Sequence, residues 1–434
     1  VPLYNLVEWN RLLGKPWYWC LLLLVPGINL LMLIIYNVNT SIAFGERTVK
    51  QHLLMVVAPW VLLPKYAFQP EYKWVGPIPI GSIQRAFLGQ WGDAILFAVI
   101  VATTFRVFTF EAFTIPTGSM EKSLLVGDYL FVSKLSYGPR APMTPITFPF
   151  THHTLPLTAH TPSFTNWFSL PYMRLPGLGT PERGDAVVFN FPEGDTVAAN
   201  YQNMSYYHLC RIFGRRTVAE KGFWVSGDAQ GRQFRNETGG LLVRPLDKRE
   251  NYIKRCVAIA GDVVEVRDGL VYVNGEPQPL PATGQYAYRF MLRDAFNAGR
   301  LKQEFDVNLD DQRGNGAQTA VLPLREEVAN TLAQRANVIT MQRENKPRGF
   351  YKEGDGQGWP IFPNDPRYDW TEDNFGPITI PKAGVTVDLT VENLPLYRRA
   401  IQLYEGNTLE VAGNTIRING EATTRYTFKQ DYYW

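Results

Sequence analysis

Apolar residues crowd into the first quarter of the chain, and their spacing there differs from that of the rest. "WYWCLLLLVPGINLLMLIIY", residues 17–36, carries no charge over a length that crosses a bilayer core. Trp17, Tyr18 and Trp19 at one end and Tyr36 at the other suit the interfacial aromatic belt. "LLMVVAPWVLLP", residues 53–64, is shorter and contains Pro59, so it reads equally as a span or as a re-entrant or interfacial piece. "WGDAILFAVIVATTFRVFTFEAF", residues 91–113, is a better span, with Asp93 and Arg106 near its ends where charges reach headgroups. A cleavable signal peptide fits the first run poorly, because the run is too long and no small-residue cleavage pattern follows it.

From Thr114 the period shortens to that of strands. "YLFVSKLSYG", "DAVVFNFPEG" and "DVVEVRDGLVYVNGE" carry β-branched and aromatic residues bounded by Gly, Asp, Asn or Pro, which predicts half-buried antiparallel strands. Gly-Asp recurs at Gly127-Asp128, Gly184-Asp185 and Gly261-Asp262, and reads as a turn signal rather than as metal ligands. "GLVYVNGEP" and "NTIRINGEA" echo each other, each a strand ending in Asn-Gly-Glu, as two similar hairpins would. Between them, "PLREEVANTLAQRA" and "VENLPLYRRAIQLYEG" have helical spacing. The expected fold class is a membrane-anchored, mainly-β chain. N-terminal transmembrane helices occupy residues 1–112, and an antiparallel β catalytic core occupies 113–276. An inserted α+β subdomain fills 277–405, and the β core returns over 406–434.

Charge changes this picture only by exclusion and orientation. With 43 Lys and Arg against 40 Asp and Glu, the net charge is +3 and the cations are scattered, which gives no case for nucleic acid as a partner. Arg11 and Lys15 precede the first apolar run, Lys65, Lys73 and Arg85 lie between the second and third, and only Arg47 and Lys50 separate the first two. If all three runs span, the positive-inside bias places the N-terminus in the cytoplasm and everything after Phe113 outside. Of the three cysteines, Cys20 lies in an apolar run, so the one plausible disulfide is Cys210 to Cys256, and nothing in the spacing demands it. Residues 139–182, rich in Pro, Thr and His, read as an extended surface loop. His152, His153 and His160 cluster there without a Cys or acidic companion, so no metal site is expected.

Candidate chemistry begins at "FTIPTGSM", where Ser119 follows the third apolar run by about six residues. It is either a surface hydroxyl or a nucleophile whose base lies elsewhere, because an unassisted serine is a weak nucleophile. The five histidines offer no obvious Asp-partnered base. Lys254, in the apolar strand "NYIKRCVAIA", is the better candidate. Alternation puts Tyr252, Lys254 and Cys256 on one face, and a buried lysine can lose its proton near neutral pH. A lysine whose ammonium reaches back to solvent is the plain alternative.

Four stretches in order, residues 115–120, 127–138, 183–189 and 252–262, resemble bacterial type I signal peptidase (leader peptidase). They read Ile-Pro-Thr-Gly-Ser-Met, Gly-Asp-x-x-x-Val-x-Lys-x-x-Tyr-Gly, Arg-Gly-Asp-x-Val-Val-Phe and a segment opening Tyr-Ile-Lys-Arg. The resemblance implies a membrane-bound serine endopeptidase cutting signal peptides from exported preproteins after small residues. It implies Ser119 as nucleophile and Lys254 as general base, with the Ser119 N–H and the Thr117 hydroxyl as oxyanion hole. Phe113, Ile115, Pro116, Met120, Leu124, Tyr252 and Ile253 become walls of the substrate pockets, although apolar residues are more often plain core. No cofactor or metal is implied. The partners are preprotein signal peptides and membrane lipid, with the secretion machinery or another membrane assembly as a further candidate. The place is the outer face of a bacterial cytoplasmic membrane. The family's Gly-Asp-Asn run, followed by Ser-x-Asp-Ser-Arg, does not occur in these 434 residues. The expectation is therefore a fragment with weak or no activity by itself. The competing reading is a catalytically incomplete membrane scaffold that binds exported chains or an assembly partner.

Overall fold

The computed structural model describes residues 2–23, 25, 28–77, 87–148, 151–158, 161–202, 204–221, 223–225, 234–236, 240–307, 313–316, 318–353 and 360–434. They divide into two compact units: Val1–Phe113 with Phe131–Thr180 and Leu242–Glu250, and Thr114–Leu130 with Pro181–Leu241 and Asn251–Trp434.

Helices dominate the start of the first unit, but their bounds correct the expected spans. Residues 17–36 do not form one helix: Trp19–Leu22 is a single turn, and the next helix runs from Ile28 to Ala43. Pro26 and Gly27 fall between them in the sequence, and a proline has no N–H to continue a helix. Residues 53–64 straddle two helices, Val49–Val57 and Pro59–Phe68, parted at Ala58 with φ −135° and ψ 59°. The ring of Pro59 disfavours helical backbone at the residue before it. The third run gives the Phe87–Phe108 helix but ends as a strand, Phe110–Thr114. Among the described residues no helix is long and apolar enough to cross a membrane. Leu13, Val25, Ile28, Met32, Tyr36 and Ala43 form the helical core, with Trp9, Ile100 and Val107 against it. Two polar contacts cross this core: the Tyr36 hydroxyl donates to Asn10 Oδ1, and Trp9 Nε1 donates to Thr40 Oγ1 at 2.9 Å, while the buried Asn37 Oδ1 accepts no hydrogen bond from the described residues.

The Pro/His segment is more ordered than an extended loop. Ala141 N–H bonds Met173 O at 2.9 Å, Leu170 N–H bonds Met143 O at 2.8 Å, and Phe148 N–H bonds Ser163 O at 2.7 Å, so its two limbs ladder along each other. Asp247 Oδ2 accepts from the Met143 and Thr144 amides at 3.0 and 2.9 Å and from the Thr144 hydroxyl at 2.9 Å. Side-chain and backbone bonding of this kind lets a polar, proline-rich stretch bury Thr144 and Thr147.

The second unit is mainly antiparallel β. Ala186–Asn190 pairs with Asn251–Arg255. Glu276–Pro277, Leu270–Val273, Val263–Arg267 and Phe375–Thr379 form a four-stranded sheet in that order, so its outer strand comes from well beyond residue 277. Arg313–Gly316, Thr319–Leu324, Tyr286–Leu292 and Val338–Arg343 form another. Alternate residues Tyr288, Phe290 and Leu292 bury against Leu301, Leu322, Leu324 and Leu332, so helices Ala298–Phe305 and Glu326–Ala333 contribute to one core with the sheet.

The sequence echo is a structural repeat. Asn274 and Asn419 both adopt φ 54°, followed by Gly275 at 84° and Gly420 at 87°, the left-handed pair a two-residue hairpin turn requires. Asn274 Oδ1 accepts from Val263 N at 2.8 Å, as Asn419 Oδ1 accepts from Thr408 N at 2.9 Å. Asn274 Nδ2 reaches Asp262, and Asn419 Nδ2 reaches Asn407, both at 2.9 Å. All three cysteines are free: Asn10 Nδ2 donates to Cys20 Sγ, and buried Cys256 donates to Ala258 O.

Candidate active site

Ser119 sits in one 3-10 turn, Gly118–Met120, entered through Thr117 in extended conformation. That entry is fixed from the other side. Ile115 N–H bonds Asp128 O and Gly127 N–H bonds Ile115 O, both at 2.9 Å, and Ile115 is buried. The Gly127-Asp128 pair closes its own turn as well, since Asp128 Oδ2 accepts from Leu125 N at 2.8 Å.

Lys254 is held by a second Gly-Asp turn. Its strand pairs with Ala186–Asn190, placing Lys254 opposite Val187. Two residues on, Gly184 N–H bonds Cys256 O at 2.7 Å and Cys256 N–H bonds Asp185 O at 2.8 Å. Arg255 Nη1 donates to Gly184 O at 2.7 Å. The third turn, Gly261-Asp262, has the same form, with Ile259 N–H on Asp262 Oδ2 at 2.9 Å. The three glycines have φ 92°, 95° and 94°, a backbone that costs a residue with a Cβ but not glycine. Arg183 joins two of these turns, donating through Nε to Asp262 Oδ2 at 2.8 Å and through Nη2 to Oδ1 at 2.5 Å. The guanidinium holds the Asp262 carboxyl down at about 2. The Arg183–Asp262 clamp was not foreseen from the sequence, although the recurrence of Gly-Asp beside an arginine was its visible signal.

These brackets bring Ser119 and Lys254 together. Lys254 Nζ donates to Ser119 Oγ at 2.6 Å and to Ile253 O at 2.9 Å. Desolvation lowers the Lys254 pKa even though solvent still reaches part of the residue. A charged amine donates to the hydroxyl along this line, and a neutral one accepts the hydroxyl proton along the same line. The arrangement can therefore move a proton from serine to lysine.

The remaining candidates are placed unevenly. Thr117 is exposed, and its side chain does not cap the turn it begins. Met120 and Leu124 are half-buried and joined through Leu124 N–H to Met120 O at 2.8 Å. Pro116 is exposed, whereas Ile115 is 5% exposed and so behaves as core. Ile253 is half-buried, and exposed Tyr252 faces Phe189 and Phe191, with ring centroids 6.5 and 5.4 Å away. Tyr252 and Lys254 are exposed on one face of their strand, as is Asn251 at its start, while Cys256 lies past its end and is buried. Phe113, half-buried, belongs to the first unit.

Two of the three loop histidines bond to groups on residues 249 and 250. His152 Nε2 contacts Arg249 O at 3.1 Å, His153 pairs with Glu250 at 3.2 Å, and His160 lies outside the described residues. Among the described residues no three His, Cys, Asp or Glu side chains are grouped to hold a metal ion.

Comparison with known proteins gives the geometry a setting. Residues 88–326 match the signal peptidase, peptidase S26 family, and residues 1–77 match a family of unknown function, DUF5684. Signal peptidase I of Rickettsia massiliae is 24% identical over 197 residues, 45% of this chain and 47% of that protein. Signal peptidase I of Pseudomonas aeruginosa is 27% identical over 164 residues, 37% of this chain and 45% of that protein. Signal peptidase I of Rickettsia canadensis is 24% identical over 237 residues, 52% and 62% respectively. The chain spans about half the length of the curated relatives it matches. No solved structure matches it. With a family match over more than half of its residues, running through both Ser119 and Lys254, the chain belongs to the signal peptidase, peptidase S26 family.

Proposed function

We propose that this protein is a serine endopeptidase that removes N-terminal signal peptides from exported preproteins, cutting after small residues. The observation that carries the reading is the 2.6 Å contact between Lys254 Nζ and Ser119 Oγ. In the proposed mechanism Lys254, as the neutral amine, takes the Ser119 proton while Oγ attacks the scissile carbonyl carbon. The tetrahedral oxyanion is met by the Ser119 backbone N–H and the Thr117 hydroxyl. The protonated Lys254 then passes its proton to the leaving amine nitrogen, which frees the mature chain and leaves an acyl-enzyme on Oγ. Water, losing a proton to Lys254, hydrolyses that ester and restores the serine.

Desolvation of Lys254 supports the base role, because it lowers the amine's pKa and favours the uncharged form. Met120, Leu124, Tyr252 and Ile253, with Pro116, are the proposed walls around small side chains before the cut. The substrate lies extended, in the manner of an added strand. The apolar first quarter and the relatives' family support association with a membrane and action at the outer face of the bacterial cytoplasmic membrane. Membrane lipid is then a partner alongside the preprotein.

The test is cleavage of a preprotein carrying Ala-x-Ala before its junction, by the full chain at mildly alkaline pH. A cut at the junction that Ser119→Ala abolishes supports the reading. Binding of the preprotein without cleavage, unchanged by Ser119→Ala, makes the catalytically incomplete scaffold the better account.

A further inference from the structure

Three residues past Ser119 the backbone of Lys122 turns left-handed, with φ 66°, a conformation that costs a residue bearing a Cβ and persists where contacts impose it. Lys122 has such contacts. Its side chain is 17% exposed, and Nζ donates to Asp306 O at 2.6 Å and to Asp306 Oδ2 at 2.5 Å. Asp306 closes the helix Ala298–Phe305 as its C-cap, itself left-handed at φ 53° and ψ 38°. Its N–H bonds back to the carbonyls of Leu301 and Lys302. A helix C-terminus carries partial negative charge, so the capping carbonyl and the carboxylate both draw the Lys122 ammonium. Lys302 occupies the other carboxylate oxygen, Oδ1, at 2.6 Å. Lys122, and after it Lys302, keeps the Asp306 carboxyl at about 2. The neighbouring Ser123 hydroxyl is tied in the same direction, sharing a hydrogen bond with Thr283 Oγ1 at 2.9 Å.

We propose that the C-terminal end of the Ala298–Phe305 helix positions the turn that carries Ser119. Lys122 and Asp306 are positioning residues. They touch no reacting atom, and they hold residues 119–123 in the one conformation that aims Oγ at Lys254 Nζ. The inference rests on the reading of Ser119 as nucleophile. With the Asp306 carboxylate more than half exposed, the pair adds little to global stability. The contact is therefore expected to act on the shape of the turn and not on the melting temperature.

The experiment uses the full chain with Lys122→Met, Asp306→Asn, the double variant and Lys122→Arg, which keeps a cation. Two readouts are taken: amide hydrogen exchange over residues 117–124, and kcat and KM on the preprotein substrate. In Lys122→Met, exchange over 117–124 is expected to rise about tenfold with the melting temperature unchanged, as local opening without global unfolding does. The same variant is expected to lose about tenfold in kcat with KM within about twofold, since the nucleophile is misplaced and not the pocket. The double variant should be no worse than Lys122→Met, and Lys122→Arg should recover most of the rate. Wild-type exchange and kcat in Lys122→Met, beside an inactive Ser119→Ala, overturns the inference and leaves the proposed function standing. If the wild type cleaves no better than Ser119→Ala, the proposed function falls, and exchange decides alone: faster exchange supports a held turn, and unchanged exchange overturns it.

Discussion

Lys254 Nζ lies 2.6 Å from Ser119 Oγ although 135 residues of chain separate the two. Each is bracketed by a Gly-Asp turn, Gly127-Asp128 through Ile115 for the serine and Gly184-Asp185 through Cys256 for the lysine. On the proposed mechanism the amine must be able to shed its proton. Lys254→Arg therefore tests chemistry apart from charge, because a guanidinium still donates to Oγ but does not deprotonate. The variant is expected to lose about 10³-fold or more in kcat, within the range general-base catalysis supplies. Retention of wild-type kcat, measured on the preprotein substrate, would remove lysine from the base role.

The pH profile should carry the signature of the same group. Desolvation lowers the Lys254 pKa, so the neutral amine becomes available below the ~10.4 of free lysine. kcat/KM is expected to rise with pH through the lowered value and to be lost on acidification, as the amine takes up its proton. An ascending limb centred at or above ~10.4 would contradict the role of desolvation.

Thr117 tests the oxyanion contact. Its extended backbone leads into the serine turn, and its side chain does not cap that turn. Thr117→Val keeps the shape and removes the hydroxyl donor. It is expected to cost about 10²-fold in kcat with KM nearly unchanged, the usual effect of losing one oxyanion donor. A loss confined to KM would place Thr117 in substrate binding instead.

Asp262 is a stability switch at acid pH. Held at about 2 in the fold by Arg183, against ~3.9 when unfolded, its carboxylate contributes stability that is fully present above pH ~4. That contribution is lost as pH falls through the folded value. Asp262→Asn should lower unfolding free energy at pH 7 by about 1–2 kcal/mol, part-exposure of Arg183 having screened the pair. The difference from wild type should shrink towards pH 2. Equal denaturant midpoints for the two proteins at pH 7 would show the clamp to be idle.

Gly138 tests the laddered Pro/His segment. Its φ is 85°, and a Cβ there would lie 2.0 Å from the Leu175 carbonyl oxygen. Gly138→Ala combines a left-handed backbone with a backbone clash, so a loss of about 2 kcal/mol or more is expected. Hydrogen exchange at the Ala141 and Leu175 amides should rise with it. Unchanged protection would mean that the two limbs do not depend on this approach.

Much of the β architecture was legible because its signals are local. The Gly-Asp turns and the Asn-Gly hairpins are specified by residues within three or four positions of each other, and all five adopt the expected left-handed glycine. The helical spacings gave Glu326–Ala333 and Leu394–Arg399. The apolar first quarter is more broken in structure than its runs suggest, because a hydropathy run does not report where backbone hydrogen bonding stops. Ala58, beside Pro59, parts two helices inside one apolar run, and Phe110 begins a strand inside another.

The sequence by itself determined the strand-and-turn grammar, the motif order that places the chain in its family, and both members of the Ser119–Lys254 pair as candidates. Their meeting was decided only by the tertiary structure, as were the Arg183–Asp262 clamp and the Lys122–Asp306 contact, which spans 184 positions. The physical reason is range. A turn depends on backbone sterics and neighbouring hydrogen bonds, which the local sequence carries. The distance between two side chains far apart in the chain depends on strand register and on how many intervening loops close, and no local pattern carries that.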